Sequence, residues 1–203
     1  MPDTATIPVF DIGGVLLDWN PRYLYRTLFD DEAAMEEFLA TVCTPAWNRQ
    51  MDGGKPFAQG VAELTARFPE HAALIAAFDE RWQEMIPRAH TDTVAILDEL
   101  RGAGRPVYAI TNFSAEKLDL ELRRWPFLGG FEGIIVSGAE RVLKPGPEIY
   151  RLLLDRYGLT AADCLFIDDV EENAAGARAV GMHAVRFESA DRLRGDLAAH
   201  GLL

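Results

Sequence analysis

The sequence has little that would support thiol chemistry, nucleic-acid binding or a membrane. It contains only two cysteines, Cys43 and Cys164. They lie far apart and form no metal-ligand spacing, which argues against a disulfide framework or a zinc site; both read as small buried hydrophobes. Basic residues are few, 20 Lys and Arg against 32 Asp and Glu for a formal net charge of −12. No basic face is then expected to displace counterions from a nucleic acid or to hold an anionic membrane. A small phosphorylated molecule stays possible, because one cation and one lysine reverse the field locally. Apolar runs fall short of the ~20 residues of a membrane span. Met1 to Ile7 shows neither the basic start nor the apolar stretch of a secretory leader, so a cytoplasmic location is expected. Internal repeats and low-complexity segments are also missing.

What is present is a globular composition, 49% hydrophobic and 26% charged over 203 residues. That is enough chain for a full core and suits one domain carrying an insertion. The first strand reads as residues 6–10, ending in Asp11 with Gly13 and Gly14 directly behind it, a turn where bare backbone can approach a ligand. From Pro21 to about Arg88 the pattern is helical. Met35, Phe38, Leu39 and Val42 form one stripe, Phe57, Val61, Leu64 and Phe68 a second, and Leu74, Phe78, Trp82 and Met85 a third. Between the first two stripes, Thr44 to Asn48 and Asp52 to Gly54 read as a turn-rich stretch able to face a site.

From Thr91 onward helices alternate with short apolar strands: Pro106 to Ile110, Ile134 to Val136, Leu165 to Ile167 and His183 to Phe187. Such alternation implies an α/β fold, a parallel sheet with right-handed crossovers and both faces covered. Ligands bind such sheets at the carboxyl ends of the strands. Asp11, Thr111 and Asp168-Asp169 all end strands, and Lys144 lies in the loop after the third. Clustered carboxylates raise one another's pKa unless a cation neutralises them, which calls for a hard divalent ion, Mg²⁺, with Asp169 as ligand and Asp168 beside it. The competing reading for one of the two is a plain cap on the helix that starts near Glu171. Thr111 and Asn112 offer a hydroxyl, an amide and backbone N–H groups to phosphate oxygens, and Lys144 a compact positive charge.

These motifs resemble those of the haloacid dehalogenase superfamily, mostly Mg²⁺-dependent phosphatases. The resemblance is carried by Phe10 to Leu16, Ile110-Thr111-Asn112, Lys144-Pro145, and Phe166 to Asp169 followed by Asn173, Ala177 and Gly181. It spans the chain and implies a Rossmann-like core over residues 1–19 and 89–203, with residues 20–88 as an inserted helical cap. The Asp168, Asp169, Asn173 pattern is similar to the branch with sugar-1-phosphate phosphatases and the phosphatase domain of soluble epoxide hydrolases. The resemblance further implies that Asp11 attacks phosphorus to form an aspartyl-phosphate, and that Asp11, Asp169 and the backbone carbonyl of Gly13 bind Mg²⁺. Thr111, Asn112 and Lys144 would hold the phosphoryl oxygens, and Asn173 would orient the site.

One departure stands out. Most phosphatases of this superfamily carry an acid/base aspartate two residues after the nucleophile, where this chain has Gly13; such proton transfer is worth ~10²–10⁴ in rate. Either the leaving group is good, as in an anomeric or aryl phosphate, or another acid substitutes, with Asp18 and Asp52 as candidates. In the cap, Trp47 and Asp52 are the expected substrate-selecting residues, Trp47 having a core-aromatic reading of equal weight. Trp19 and Asn20 are placed at the entrance, with Arg22 either beside them or a solvated helix-start residue. Two other functions compete: a metal-independent 2-haloacid dehalogenase, which needs no acid because halide leaves unprotonated, and a non-catalytic module that binds a phosphorylated metabolite.

Overall fold

The structure is a computed structural model that describes residues 5–203; residues 1–4, at the head of the expected core domain and leaderless start, lie outside the described residues. Five strands form one parallel sheet: β1 (Ile7–Phe10), β2 (Tyr108–Thr111), β3 (Gly133–Val136), β4 (Cys164–Asp168) and β5 (His183–Arg186), in the order β3-β2-β1-β4-β5. The chain runs from β1 outward to β3 on one side and returns to fill β4 and β5 on the other. The reversal of direction falls between β1 and β4.

Alternation along four- and five-residue strands sorts the core. Phe10, Leu165 and Ile167 meet Ile96, Leu97 and Leu100 of α6 (Thr91–Gly102) and Leu193 and Leu197 of α11 (Ala190–Ala199) on one face. Val9, Ile110, Ile135 and Phe166 meet Ile149, Tyr150 and Leu153 of α9 (Pro147–Tyr157) and Ala177 of α10 (Glu171–Ala179) on the other. All five strands thus occur where short apolar runs end in polar residues. Both faces are helix-covered, as an all-parallel sheet requires.

Between β1 and β2 the chain inserts α1 (Arg22–Tyr25), α2 (Glu32–Thr41), α3 (Pro45–Asp52), α4 (Phe57–Arg67) and α5 (Ala72–Glu80), followed by a 3₁₀ turn at Trp82–Met85. Their apolar faces share one cluster in which Phe78 packs on Trp47 at 5.1 Å and on Trp82 at 5.8 Å. Trp82 continues it onto Phe113 of the core, ring to ring at 5.8 Å. The chain enters and leaves the insertion along paired segments, with Asp18 N–H donating to Arg88 C=O at 3.1 Å and His90 N–H to Leu16 C=O at 2.9 Å. Among the described residues no helix is long and apolar enough to cross a membrane.

Two local expectations need correction. The stretch from Thr44 to Asp52 is a helix rather than a turn-rich loop: Thr44 caps it, its hydroxyl accepting from Trp47 N–H at 3.1 Å, and Pro45 occupies the first turn. A capping threonine followed by proline is itself a helix-start signal. The stripe from Leu74 to Met85 is not one helix. Lys117 Nζ donates to the Asp79 carbonyl at 2.9 Å, the acceptor that the next helical turn would need, and α5 stops at Glu80.

Candidate active site

The switch point between β1 and β4 is where an open parallel sheet offers a ligand crevice. Asp11 leaves β1 there, its carboxylate accepting from Ile12 N–H at 2.7 Å while its own N–H donates to Ile167 C=O at 2.8 Å. Gly14 makes the turn at φ +77°, and a Cβ on it would lie 2.5 Å from an Asp169 carboxylate oxygen. Gly14 is thus required both by its backbone and by what sits against it. Gly13 differs: a Cβ there meets nothing within 4 Å.

Lys144 lies between the carboxylates and is fully buried. Its Nζ is 2.7 Å from Asp11 Oδ2 and 2.6 Å from Asp168 Oδ2, and donates to Ile110 C=O at 3.1 Å. All three ammonium protons are therefore engaged. Its backbone is equally fixed: Lys144 N–H donates to Asn112 Oδ1 at 2.9 Å, and its carbonyl accepts from Asn112 Nδ2 at 3.1 Å and from Arg49 Nη2 at 2.8 Å. The Asn112 amide, expected on phosphate, is committed to this loop.

Asp168 and Asp169 divide sharply. Asp168 is fully buried and accepts from Val170 N–H at 2.9 Å and from Asn173 Nδ2 at 3.0 and 3.2 Å besides Lys144. Asp169 lines the cavity with no side-chain donor on its carboxylate among the described residues. Ligand oxygens of Asp11, Asp168 and Asp169 all lie within 4.8 Å of one another. Burial pushes Asp11 up, Lys144 opposes, and Asp168 and Asp169 add to the push. Burial also raises Asp169, with Asp168 adding to it. Lys144 is pushed down by burial, but Asp11 and Asp168 outweigh that and leave it above the ordinary lysine value. Three carboxylates around one lysine form an oxygen-only donor set with uncompensated charge, which suits a hard divalent cation.

The cavity over this cluster measures about 310 Å³. One wall is core, with Asp11, Gly13, Gly14, Asn112, Lys144, Asp169 and Asn173; the opposite wall is formed by Asn48, Arg49 and Asp52 of α3 and Trp82 in the insertion, with the Trp19 ring at its entry. Asn48 Nδ2 donates to Asp52 Oδ2 at 3.1 Å, one helical turn away. Burial lifts Asp52 to about 7, with Arg49, Ser114 N–H and Lys144 pulling it back. The Thr111 hydroxyl at the end of β2, Trp19 Nε1, Trp82 Nε1 and Asn48 Oδ1 are buried and have no protein partner.

Several expected site residues fall elsewhere. Trp47 packs within the insertion and does not line the cavity: it is 6% exposed, donates from Nε1 to Gly60 C=O at 3.2 Å and is buried on α3 with Met51. Asp18 is tied to Arg88 at 2.7 Å and Tyr23 Oη at 2.8 Å and does not line the cavity. Asn20 Oδ1 accepts from Arg22 N–H at 3.0 Å, while the Arg22 guanidinium pairs with Glu36 beside a neighbouring cleft that shares Trp19 and Asn48. Lining residues the sequence did not mark for the site are Arg49, Phe113, Val170 and Trp82, the last read only as helix core; Asn48 was marked only as part of the stretch from Thr44. Phe113 and Val170 directly follow Asn112 and Asp169, and that adjacency was the available signal.

A parallel sheet with strand-end carboxylates, a buried lysine and a helical insertion after the first strand defines a class of hydrolases. The family model described as haloacid dehalogenase-like hydrolase matches residues 8–181, and the chain belongs to that family. It is 29% identical to sesquiterpene phosphatase astK of Aspergillus oryzae over 90% of this chain and 89% of that protein. It is 24% identical to (S)-2-haloacid dehalogenase 4A of Burkholderia cepacia over 92% and 84%. In fold it is similar to a haloacid dehalogenase family enzyme of Bacteroides thetaiotaomicron, solved with magnesium and inorganic phosphate, at TM-score 0.70 and 20% identity over 91% and 95% of the two chains.

Proposed function

We propose that the protein is a Mg²⁺-dependent phosphatase that hydrolyses a small phosphorylated metabolite through an aspartyl-phosphate on Asp11. The observation that carries this is the carboxylate cluster, three acids whose oxygens lie within 4.8 Å of one another against one buried lysine. Asp11, Asp169 and the Gly13 carbonyl would hold the ion, which when bound polarises a phosphoryl oxygen and masks its charge. Lys144 counters the burial of Asp11 and aims its carboxylate, and Asp168, itself held by Asn173, keeps Lys144 in place. The Thr111 hydroxyl, backbone N–H groups near Asn112 and the Arg49 guanidinium would receive phosphoryl oxygens. Residues 20–88 would act as the cap that admits the substrate. A phosphatase among the relatives, and magnesium with phosphate in a neighbour of the same fold, support this reading.

The runner-up is a 2-haloacid dehalogenase, favoured by Gly13 and by a dehalogenase relative. Against it, Asp169 opens an unneutralised carboxylate onto the cavity, which a substrate that is itself a carboxylate would face. A binding module without catalysis would have no use for Asp11 so close to the anion site. The deciding experiment measures p-nitrophenyl phosphate hydrolysis with Mg²⁺, after EDTA, and in Asp11→Asn. Turnover restored by Mg²⁺ and abolished in Asp11→Asn is expected; metal-independent chloride release from 2-chloropropionate instead would overturn the proposal.

A further inference from the structure

The cavity wall has a gap where a proton donor would stand: Gly13 offers no side chain, and the space above it is open. The titratable side chains lining that cavity are Asp11, Arg49, Asp52, Lys144 and Asp169. Asp11 and Asp169 are taken by nucleophile and metal. Lys144 has every donor engaged, and an arginine does not release its proton. Asp52 is what remains.

Its placement is over-determined from both sides of the cavity. Asn48 Nδ2 donates to its carboxylate at 3.1 Å from one turn back on α3, and the Ser114 N–H at the start of α7 (Ala115–Arg124) favours its ionised form. The Asp52 carbonyl accepts from Ser137 Oγ at 2.6 Å, at the end of β3. A residue of the insertion is thus fastened to the loops after β2 and β3, the same edge of the sheet that carries Asp11.

We propose that Asp52 is the general acid and base of the reaction, supplied by the helical insertion in place of the side chain that Gly13 lacks. This rests on the phosphatase reading. In the first half-reaction a carboxylate oxygen of Asp11 bonds to phosphorus, the phosphorus–ester oxygen bond breaks, and the departing oxygen takes the Asp52 proton. In the second, Asp52 takes a proton from water as the water oxygen bonds to phosphorus. The bond from phosphorus to Asp11 then breaks, leaving phosphate, ionised Asp11 and protonated Asp52. The charged groups facing Asp52 are Arg49 on its own helix and Lys144 from the β3–α9 loop, with Asp11 and Asp169 in the same cavity. A carboxyl lifted by burial to about 7 is populated in both forms near neutrality. The donor reaches the ester only with α3 seated on the core, which links proton transfer to lid closure.

The test is kcat/KM with Mg²⁺ for dinitrophenyl, p-nitrophenyl, phenyl and ethyl phosphates in wild type, Asp52→Asn and Asp52→Asn/Gly13→Asp. The expected loss in Asp52→Asn grows along the series, from less than ~10-fold for the dinitrophenyl ester to ~10²-fold or more for the ethyl ester. The Gly13→Asp addition should restore part of the ethyl phosphate rate. In wild type, the phenyl-to-dinitrophenyl rate ratio should fall as pH rises through about 7, a readout that survives even if the variant does not fold. An equal loss for every ester, or a pH-independent ratio, overturns the assignment and leaves the phosphatase standing. No turnover of any ester by wild type overturns both.

Discussion

Replacing Lys144 by methionine isolates the electrostatics of the site. Lys144 is fully buried and lies 2.7 Å from Asp11 and 2.6 Å from Asp168, so Lys144→Met conserves most of the volume while leaving two carboxylates without their counter-charge. Removing one partner of a buried pair costs about 3–5 kcal/mol, and for a domain of this size each kcal/mol moves Tm by ~2–4 °C. The metal-free variant should therefore melt roughly 6–20 °C below wild type at neutral pH. The deficit should depend on pH in a definite sense. Burial and mutual repulsion already raise Asp11, and without Lys144 they raise the folded-state carboxyl pKa further above the unfolded value of about 4. The missing stability is then recovered as pH falls toward that value and is largest above the raised pKa. Mg²⁺ should restore part of the loss by supplying the absent charge. Thermal or urea unfolding of both proteins across pH, with and without Mg²⁺, reads all of this. A Tm change under ~2 °C, or a loss independent of pH, would refute the claim that Lys144 balances these carboxylates.

Two further changes test other parts of the molecule. Gly14→Ala places a Cβ 2.5 Å from Asp169 at φ +77°, so it should cost about 1–2 kcal/mol in backbone strain and, by displacing that carboxylate, weaken Mg²⁺ affinity ~10–100-fold; a Mg²⁺ titration of activity beside a melting curve checks both. Glu121 on α7 is fully buried, with Oε2 accepting from Trp125 Nε1 at 2.9 Å and Oε1 unpartnered, and burial raises its carboxyl. Stability tied to a raised acid is complete below the unfolded pKa and is lost as pH rises through the folded one. Glu121→Gln should accordingly gain ~1 kcal/mol near pH 8 and nothing near pH 4, measured by denaturant midpoints at the two pH values.

The sheet and its polar strand ends were legible because the signal is local. Runs such as Leu165-Phe166-Ile167 are too apolar to lie anywhere but inside, and the first carboxylate after each run is delivered to the ligand edge by parallel topology alone. The doublet Asp168-Asp169 was legible as a strand-end pair, but its division was not, because which of the two Lys144 and Asn173 hold depends on contacts far apart in sequence. The segment that became α3 was legible only in part. The sequence marks Thr44 to Asn48 and Asp52 as able to face a site but not that they share one helix face with Arg49, which only the pairing of α3 with the loops after β2 and β3 shows. Trp47 misled for the complementary reason: a tryptophan between polar residues fits a binding loop or a lid core equally well, and the direction of its ring depends on Phe78, thirty-one positions away. The saturation of Lys144 by Ile110, Asp11 and Asp168 is likewise a property of three strands meeting.

These contacts join charge balance to lid position. The Lys144 carbonyl accepts from Asn112 in the core and from Arg49 in the insertion, so the loop that carries the neutralising lysine is shared by both halves of the cavity. Lifting α3 would break the Arg49 bond and the Ser137–Asp52 bond together, and would give water access to a site where Lys144 is now fully buried. Attraction between buried charges weakens several-fold when water enters. Opening would therefore loosen the hold of Lys144 on Asp11 in the same movement that removes Asp52 from the cavity. A phosphate ester that draws Arg49 and Asp52 inward would do the reverse, assembling nucleophile, counter-charge and proton donor only when there is something to react. In such a molecule the glycine at position 13 would cost little, because the acid it lacks would arrive with the insertion.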